Sequence, residues 1–175
     1  LDVVLFDKTG TLTEGKPQVT DIEELGDGAV ALVAALESQS EHPLAQAIVR
    51  YAKEQNVSIA SAEKVQSVTG KGLEGVVDGK QIHIGSPSYM QELGVDLTSV
   101  SDKIETWQSQ AKTVVIAVQD KNILAVIAIA DASKEMAKES VAQLRHMGLD
   151  VVMVTGDNIK TAQTIGRELG IEQIE

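Results

Sequence analysis

An aspartate at the tip of a short apolar run is the first place in this chain where chemistry could occur. Val3-Val4-Leu5-Phe6 leads straight into Asp7-Lys8-Thr9-Gly10-Thr11. A continuous apolar run of that length predicts a strand buried on both faces of a parallel sheet. The polar, Gly/Thr-rich stretch from Asp7 to Gly15 predicts a loop at its C-terminal end, where ligands of open α/β sheets gather. A carboxylate there can attack phosphorus and form an acyl phosphate, dividing one hard hydrolysis into two easier steps. Lys8 can balance charge, and Gly10 lets backbone N–H groups approach phosphate oxygens. A lone Asp would more simply cap a loop, but a second loop downstream favours chemistry. Thr155-Gly156-Asp157-Asn158 follows the apolar Val151–Val154 and opens a helix. Such a turn presents a hydroxyl and free N–H groups at a helix N-terminus, an anion site, and Thr155 is placed to hold phosphoryl oxygens. Asp157 or Asn158 can cap the helix at the same time, because capping uses different groups.

These two loops need elements to carry them. Ala29, Leu32, Val33 and Leu36 form one helix stripe, and Leu44, Ala47, Ile48 and Tyr51 form a second after Pro43. Lys64 to Val68 reads as a strand, and Val76 to Ile82 as a hairpin turning near Asp78-Gly79. Ser86-Pro87 starts a short helix that Gly94 ends, and Val100, Ile104 and Trp107 mark another. Thr113 to Val118 and Ile123 to Ala130 are strands joined around Asp120-Lys121-Asn122. The order then becomes helix (Lys134 to Met147), strand (Asp150 to Val154), helix (Ile159 to Leu169), which implies parallel pairing. The simplest organisation is an α/β domain, residues 1–17 and 128–175, interrupted by an α+β insertion, residues 18–127, with an antiparallel sheet.

Composition narrows the function. The chain has 175 residues, 43% of them hydrophobic, but only one Trp, one Phe and two Tyr, so its core is aliphatic. The net charge of -11 disfavours nucleic acid and anionic membrane as partners. No apolar run approaches the roughly 18 residues that cross a bilayer. Cysteine is absent, which excludes disulfides and thiolate metal sites. The chain opens on a strand without an initiator Met and stops after a βα unit, and it is expected to be a piece of a longer protein.

Asp-Lys-Thr-Gly-Thr at Asp7–Thr11 and Thr-Gly-Asp-Asn at Thr155–Asn158 resemble the phosphorylation-domain motifs of P-type ATPases, members of the haloacid dehalogenase-like superfamily with its Rossmann-like fold. The resemblance implies that Asp7 is phosphorylated by ATP, that Asp7 and the Thr9 carbonyl help hold Mg²⁺, and that Thr155 contacts the phosphate. Lys8, Gly156 and Asp157 complete the catalytic set. The superfamily's phosphatases usually carry a second Asp two places after the nucleophile. Thr9 stands there in this chain, which should let the acyl phosphate persist.

Ser40-Glu41-His42-Pro43-Leu44-Ala45 and Gly70-Lys71-Gly72-Leu73-Glu74-Gly75 add a second resemblance. Taken singly, His42 before Pro43 reads as a helix start, and the glycines as a glycine-rich hairpin. Together, in this order and spacing, they resemble the nucleotide-binding domain of heavy-metal-transporting (CPx-type) P-type ATPases. That implies ATP contacts at Glu41, His42, Gly70 and Gly72, and at Gly85 in the following Ile84-Gly85-Ser86 segment, where Ser86 replaces a common Asn. Asp131-Ala132-Ser133-Lys134 resembles the family's hinge motif through Asp131 and Lys134, with a plain helix cap as the alternative. His83 is expected to face solvent, and His146 to sit favourably in a helix's last turn.

The resemblance covers essentially all 175 residues. It lacks the family's Gly-Asp-Gly-x-Asn-Asp segment with a third Mg²⁺ ligand, the lysine before it, the metal-binding membrane helices and the actuator domain. The expectation is therefore a cytoplasmic, ATP-binding and autophosphorylating part of an integral membrane protein, partnered by the rest of its own polypeptide. It makes no membrane contact itself and turns over weakly or not at all when isolated. Copper is the first cargo expected, with zinc, cadmium or cobalt as alternatives. Two other readings stand beside it: a free-standing phosphatase of the same superfamily, and a non-enzymatic nucleotide-binding module.

Overall fold

The structure is a computed structural model of the chain. It describes all residues except 1–2, 13–14, 132–136 and 157–158, together with all side chains of the described residues save those of 9, 10 and 160. In chain order the elements are β1 (Val3–Asp7), a single π-helical turn (Lys8–Leu12), β2 (Gln18–Glu24), α1 (Ala29–Glu37), α2 (Pro43–Glu54) and β3 (Ala62–Val68). Then come β4 (Gly72–Val77), β5 (Lys80–Gly85), α3 (Pro87–Glu92), a 3₁₀ turn (Thr98–Val100), α4 (Ser101–Ser109), β6 (Thr113–Gln119) and β7 (Asn122–Ala130). The last elements are α5 (Ala137–His146), β8 (Asp150–Val154), α6 (Ile159–Leu169) and β9 (Gln173–Ile174).

Two compact units result. One comprises Leu1–Pro17, Thr106–Thr113 and Ala130–Glu175; the other comprises Gln18–Glu105 and Val114–Ile129. The first holds a three-stranded sheet in the order β1-β8-β9, parallel throughout. Parallel pairing follows from the helices that separate these strands, since a crossover must return the chain to the same end of the sheet. Val151 and Met153 of β8 and Phe6 of β1 pack with Ala137 and Val141 of α5 and with Ala162, Ile165 and Leu169 of α6. The apolar run of β1 predicts burial on both faces, and here the structure differs. Val3 and Leu5 alternate to the opposite face and are 51% and 63% exposed. The helices add to the cluster on the Phe6 side only, so an unbroken apolar run overstates the cover.

The second unit holds a six-stranded sheet ordered β2-β7-β6-β5-β4-β3. Its β3-β4, β4-β5 and β5-β6 pairs are antiparallel. Asp78 and Gly79, and likewise Asp120 and Lys121, all have positive φ, as a two-residue hairpin turn with the twist of its flanking strands requires. Helices α1 and α2 set Leu32, Val33, Leu36 and Ile48 against Val77, Ile82, Ile84, Ala117 and Ile127. The alternate residues Ile116, Val118, Val126 and Ala128 are buried as well, so both faces of the central strands are covered. Met90 of α3 is fully buried as well. Two strands escape the sequence pattern. Gln18–Glu24 is a polar edge strand, and Gln173–Ile174 is too short to show a period.

Candidate functional site

Asp7 is the last residue of β1, and its side chain is exposed. It lies opposite Val154, the last residue of the parallel strand β8, so Thr155 is the first residue beyond the neighbouring tip. Adjacent strands run about 4.8 Å apart. A carboxylate and a threonine are thereby brought together at the C-terminal edge of the sheet, from opposite ends of the sequence.

The loops differ in detail from the sequence expectation. Residues 8–12 wind into one π-helical turn rather than an open loop, a form frequent at functional sites. Lys8 is buried, at 6% exposure, and already has a partner. The backbone of Thr9 lies in the same turn; its side chain is not among those described. Thr155 is half-buried, and its N–H is not free as the sequence suggests. It donates to the Glu175 carbonyl at 2.9 Å, while Glu175 N–H donates to the Met153 carbonyl at 2.9 Å. The strand after α6 thus pins the turn from the side. A Cβ on Gly156 would meet nothing within 4 Å, so that backbone stands open. Asp157 and Lys134 lie outside the described residues.

The donors here suit a small hard cation. Mg²⁺ takes one or two carboxylates and completes its octahedron with waters and substrate phosphates. Asp7, an exposed carboxylate at the edge of the sheet, is a ligand of that kind. Among the described residues no group of three His, Cys, Asp or Glu side chains forms a ready-made cage.

Asp131 follows β7 and closes the connection on the other side. Its carboxylate accepts from the N–H of Gly15 at 3.2 Å and of Lys16 at 3.1 Å, joining the outgoing and returning chain.

In the second unit, His42 is the N-cap of α2, and its Nδ1 accepts from Leu44 N–H at 3.2 Å. The helix-start reading of this residue therefore holds. With Nδ1 used as acceptor, the proton of the neutral ring sits on Nε2, which serves as a donor. Glu41 is exposed beside it. The glycines have separate reasons. A Cβ on Gly72 would lie 1.9 Å from the Ile84 carbonyl oxygen, and one on Gly85 would lie 2.3 Å from that of Lys71, so the β4-β5 pair closes only without side chains there. Gly70 has φ of +70° with open space around it, as a turn demands. His83, expected in solvent, is half-buried, with Nδ1 3.4 Å from Glu74 Oε2, its cross-strand partner. A strand's alternate face is solvated only where nothing covers it. His146 is exposed in the last turn of α5, as expected.

Glu37 escaped the sequence reading. It ends α1 and is only 7% exposed, and burial pushes its carboxyl up to about 7. Its carbonyl accepts from Ser40 N–H at 3.0 Å, so it begins the turn that leads to Glu41 and His42. Perturbed carboxyls gather at functional sites. The available signal was a single acid closing an otherwise wholly apolar helix.

This arrangement defines a class. The chain belongs to the haloacid dehalogenase-like hydrolase family, which matches residues 1–175. The resemblance to heavy-metal P-type ATPases is also borne out. The chain is 40% identical over 174 residues to a copper-exporting P-type ATPase of Staphylococcus haemolyticus, covering 99% of this chain and 22% of that protein. It is 42% identical over 188 residues to a probable cadmium-transporting ATPase of Alkalihalophilus pseudofirmus, covering 100% and 26%. Its fold superposes on a crystal structure of a zinc-transporting PIB-type ATPase in the E2.Pi state with a TM-score of 0.75 and 34% identity, over 100% of this chain and 29% of that one. The chain thus spans roughly a quarter of the length of these three proteins. Among the described residues no helix is long and apolar enough to cross a membrane.

Proposed function

We propose that this chain is the ATP-binding and autophosphorylating cytoplasmic part of a heavy-metal-translocating P-type ATPase, with copper as the first candidate cargo. The observation that carries the reading is the exposed Asp7 carboxylate at the tip of β1, beside the turn at Thr155. One Asp7 oxygen attacks the γ-phosphorus of ATP. The bond from that phosphorus to the β,γ-bridging oxygen breaks, and ADP leaves with the electron pair. Thr155 and the open backbone at Gly156 hold the transferred oxygens, and Lys8 offsets charge behind them. Asp7 and the Thr9 carbonyl would hold Mg²⁺, which would supply charge neutralisation at the phosphates.

The first unit is then the phosphorylation domain and the second the nucleotide-binding domain. Glu41 accepts from the adenine amino group, and His42 stacks on or donates to the base. The backbone at Gly70, Gly72 and Gly85 lies along the nucleotide, and Glu37 joins the same pocket. Asp131 and Lys134 form the hinge. The rest of the polypeptide is its partner: an actuator domain removes the phosphate, and membrane helices bind the metal. The isolated chain binds ATP but turns it over weakly.

A pulse of γ-labelled ATP on the full-length protein tests this. Acid-stable, hydroxylamine-labile label should appear and be lost in Asp7→Asn. Rapid phosphate release with no labelled intermediate would instead mark a phosphatase.

A further inference from the structure

The glycine turn of the second unit carries a side chain to which the scheme above gives no role. Lys71 stands between Gly70 and Gly72, and its ammonium pairs with Glu92 at the end of α3. Its backbone is firmly held. Lys71 N–H donates to the Val68 carbonyl at 2.9 Å, and Ser86 N–H donates to the Lys71 carbonyl at 3.2 Å. The side chain is tethered more loosely, since both partners of the ion pair are about half exposed, at 44% and 55%. A pair of that kind contributes only about 0–1 kcal/mol, so exchanging one anion for another costs little.

The surroundings are electronegative. Burial raises the Tyr89 hydroxyl, and Glu74 raises it further, while Lys71 acts the other way and Glu92 adds to the rise. Lys71, Glu74 and Glu92 therefore all lie near enough to act on Tyr89. Lys71 pairs with Glu92 there, while Glu74 lies 3.4 Å from His83 Nδ1, on a chain of net charge -11. A polyphosphate reaching the open backbone at Gly70 would be repelled unless Lys71 turned to it. A polyphosphate carries more negative charge than one half-exposed carboxylate and offers charge-assisted bonds of the same kind.

We propose that Lys71 recognises the phosphates of the bound nucleotide, and that Glu92 holds its ammonium beside the glycine turn until they arrive. The proposal rests on the reading of this unit as the nucleotide site and extends it: the site distinguishes ligands by phosphate number, through an anion exchange at one lysine.

Calorimetric titration of the 175-residue chain with ATP, AMP and adenosine tests it. Lys71→Gln should weaken ATP about tenfold, the low end of one charge-assisted bond, and leave adenosine unchanged. Lys71→Arg should keep most of the ATP affinity. Glu92→Gln should tighten ATP about twofold and flatten its salt dependence. Equal weakening of ATP and adenosine in Lys71→Gln would show a structural role and overturn the proposal. So would ATP binding unchanged from the parent. If the parent binds neither ATP nor adenosine, the nucleotide-site reading fails first and takes this proposal with it.

Discussion

Gly15 and Asp131, 116 positions apart in sequence, meet through a hydrogen bond from the Gly15 N–H to the Asp131 carboxylate at 3.2 Å. The Lys16 N–H donates to the other oxygen at 3.1 Å. One side chain thereby joins the strand of chain that leaves the first unit to the strand that returns to it.

Asp131→Ala removes both acceptors. Each bond to a charged group is worth about 1 kcal/mol at this exposure, so urea unfolding should show a loss of about 1–2 kcal/mol. Amide exchange at Gly15 and Lys16 should quicken while amides in β8 stay protected. Unchanged exchange at both positions would rule out the clamp.

Glu37 should make stability depend on pH. Its folded value of about 7 lies above the ordinary 4.5, so the folded chain holds this proton more tightly than the unfolded one. The stability it contributes is complete below pH 4.5 and is lost as pH rises toward 7. Glu37→Gln should remove that slope, with a difference on the order of 3 kcal/mol between the two curves. Parallel curves for parent and variant between those pH values would show that the carboxylate is solvated.

Capping and binding at His42 can be separated by side-chain choice. His42→Ala should cost about 1 kcal/mol through loss of the bond to Leu44 N–H. His42→Asn keeps a cap acceptor but removes the imidazole. It should leave the melting temperature nearly unchanged while weakening ATP severalfold. ATP affinity equal to the parent's in His42→Asn would reduce this residue to a helix start.

The glycines should divide the same way. Gly72→Ala drives a methyl against the Ile84 carbonyl and should cost about 1–3 kcal/mol by overpacking. Gly70→Ala has room for the methyl but sits at a φ of +70°, costing about 1 kcal/mol. Thermal melts of the two variants should therefore rank Gly72→Ala as the less stable.

Much of this protein was legible in the residues themselves. The run ending at Asp7, the Thr155 turn and the order of helices and strands after residue 134 determined a parallel α/β unit with a carboxylate at its edge. The tight turns at Asp78-Gly79 and Asp120-Lys121 marked an antiparallel insertion, because local backbone preferences follow from nearby residues. Other properties were decided only by tertiary packing. Val3 and Leu5 read as core yet lie exposed, since cover depends on what packs against a face. Gly72 and Gly85 read as ligand contacts, but their most compelling requirement is the close approach of two strands. Glu37 drew no reading from the sequence, because its burial comes only with the fold, and desolvation is a property of surroundings that no side chain carries alone.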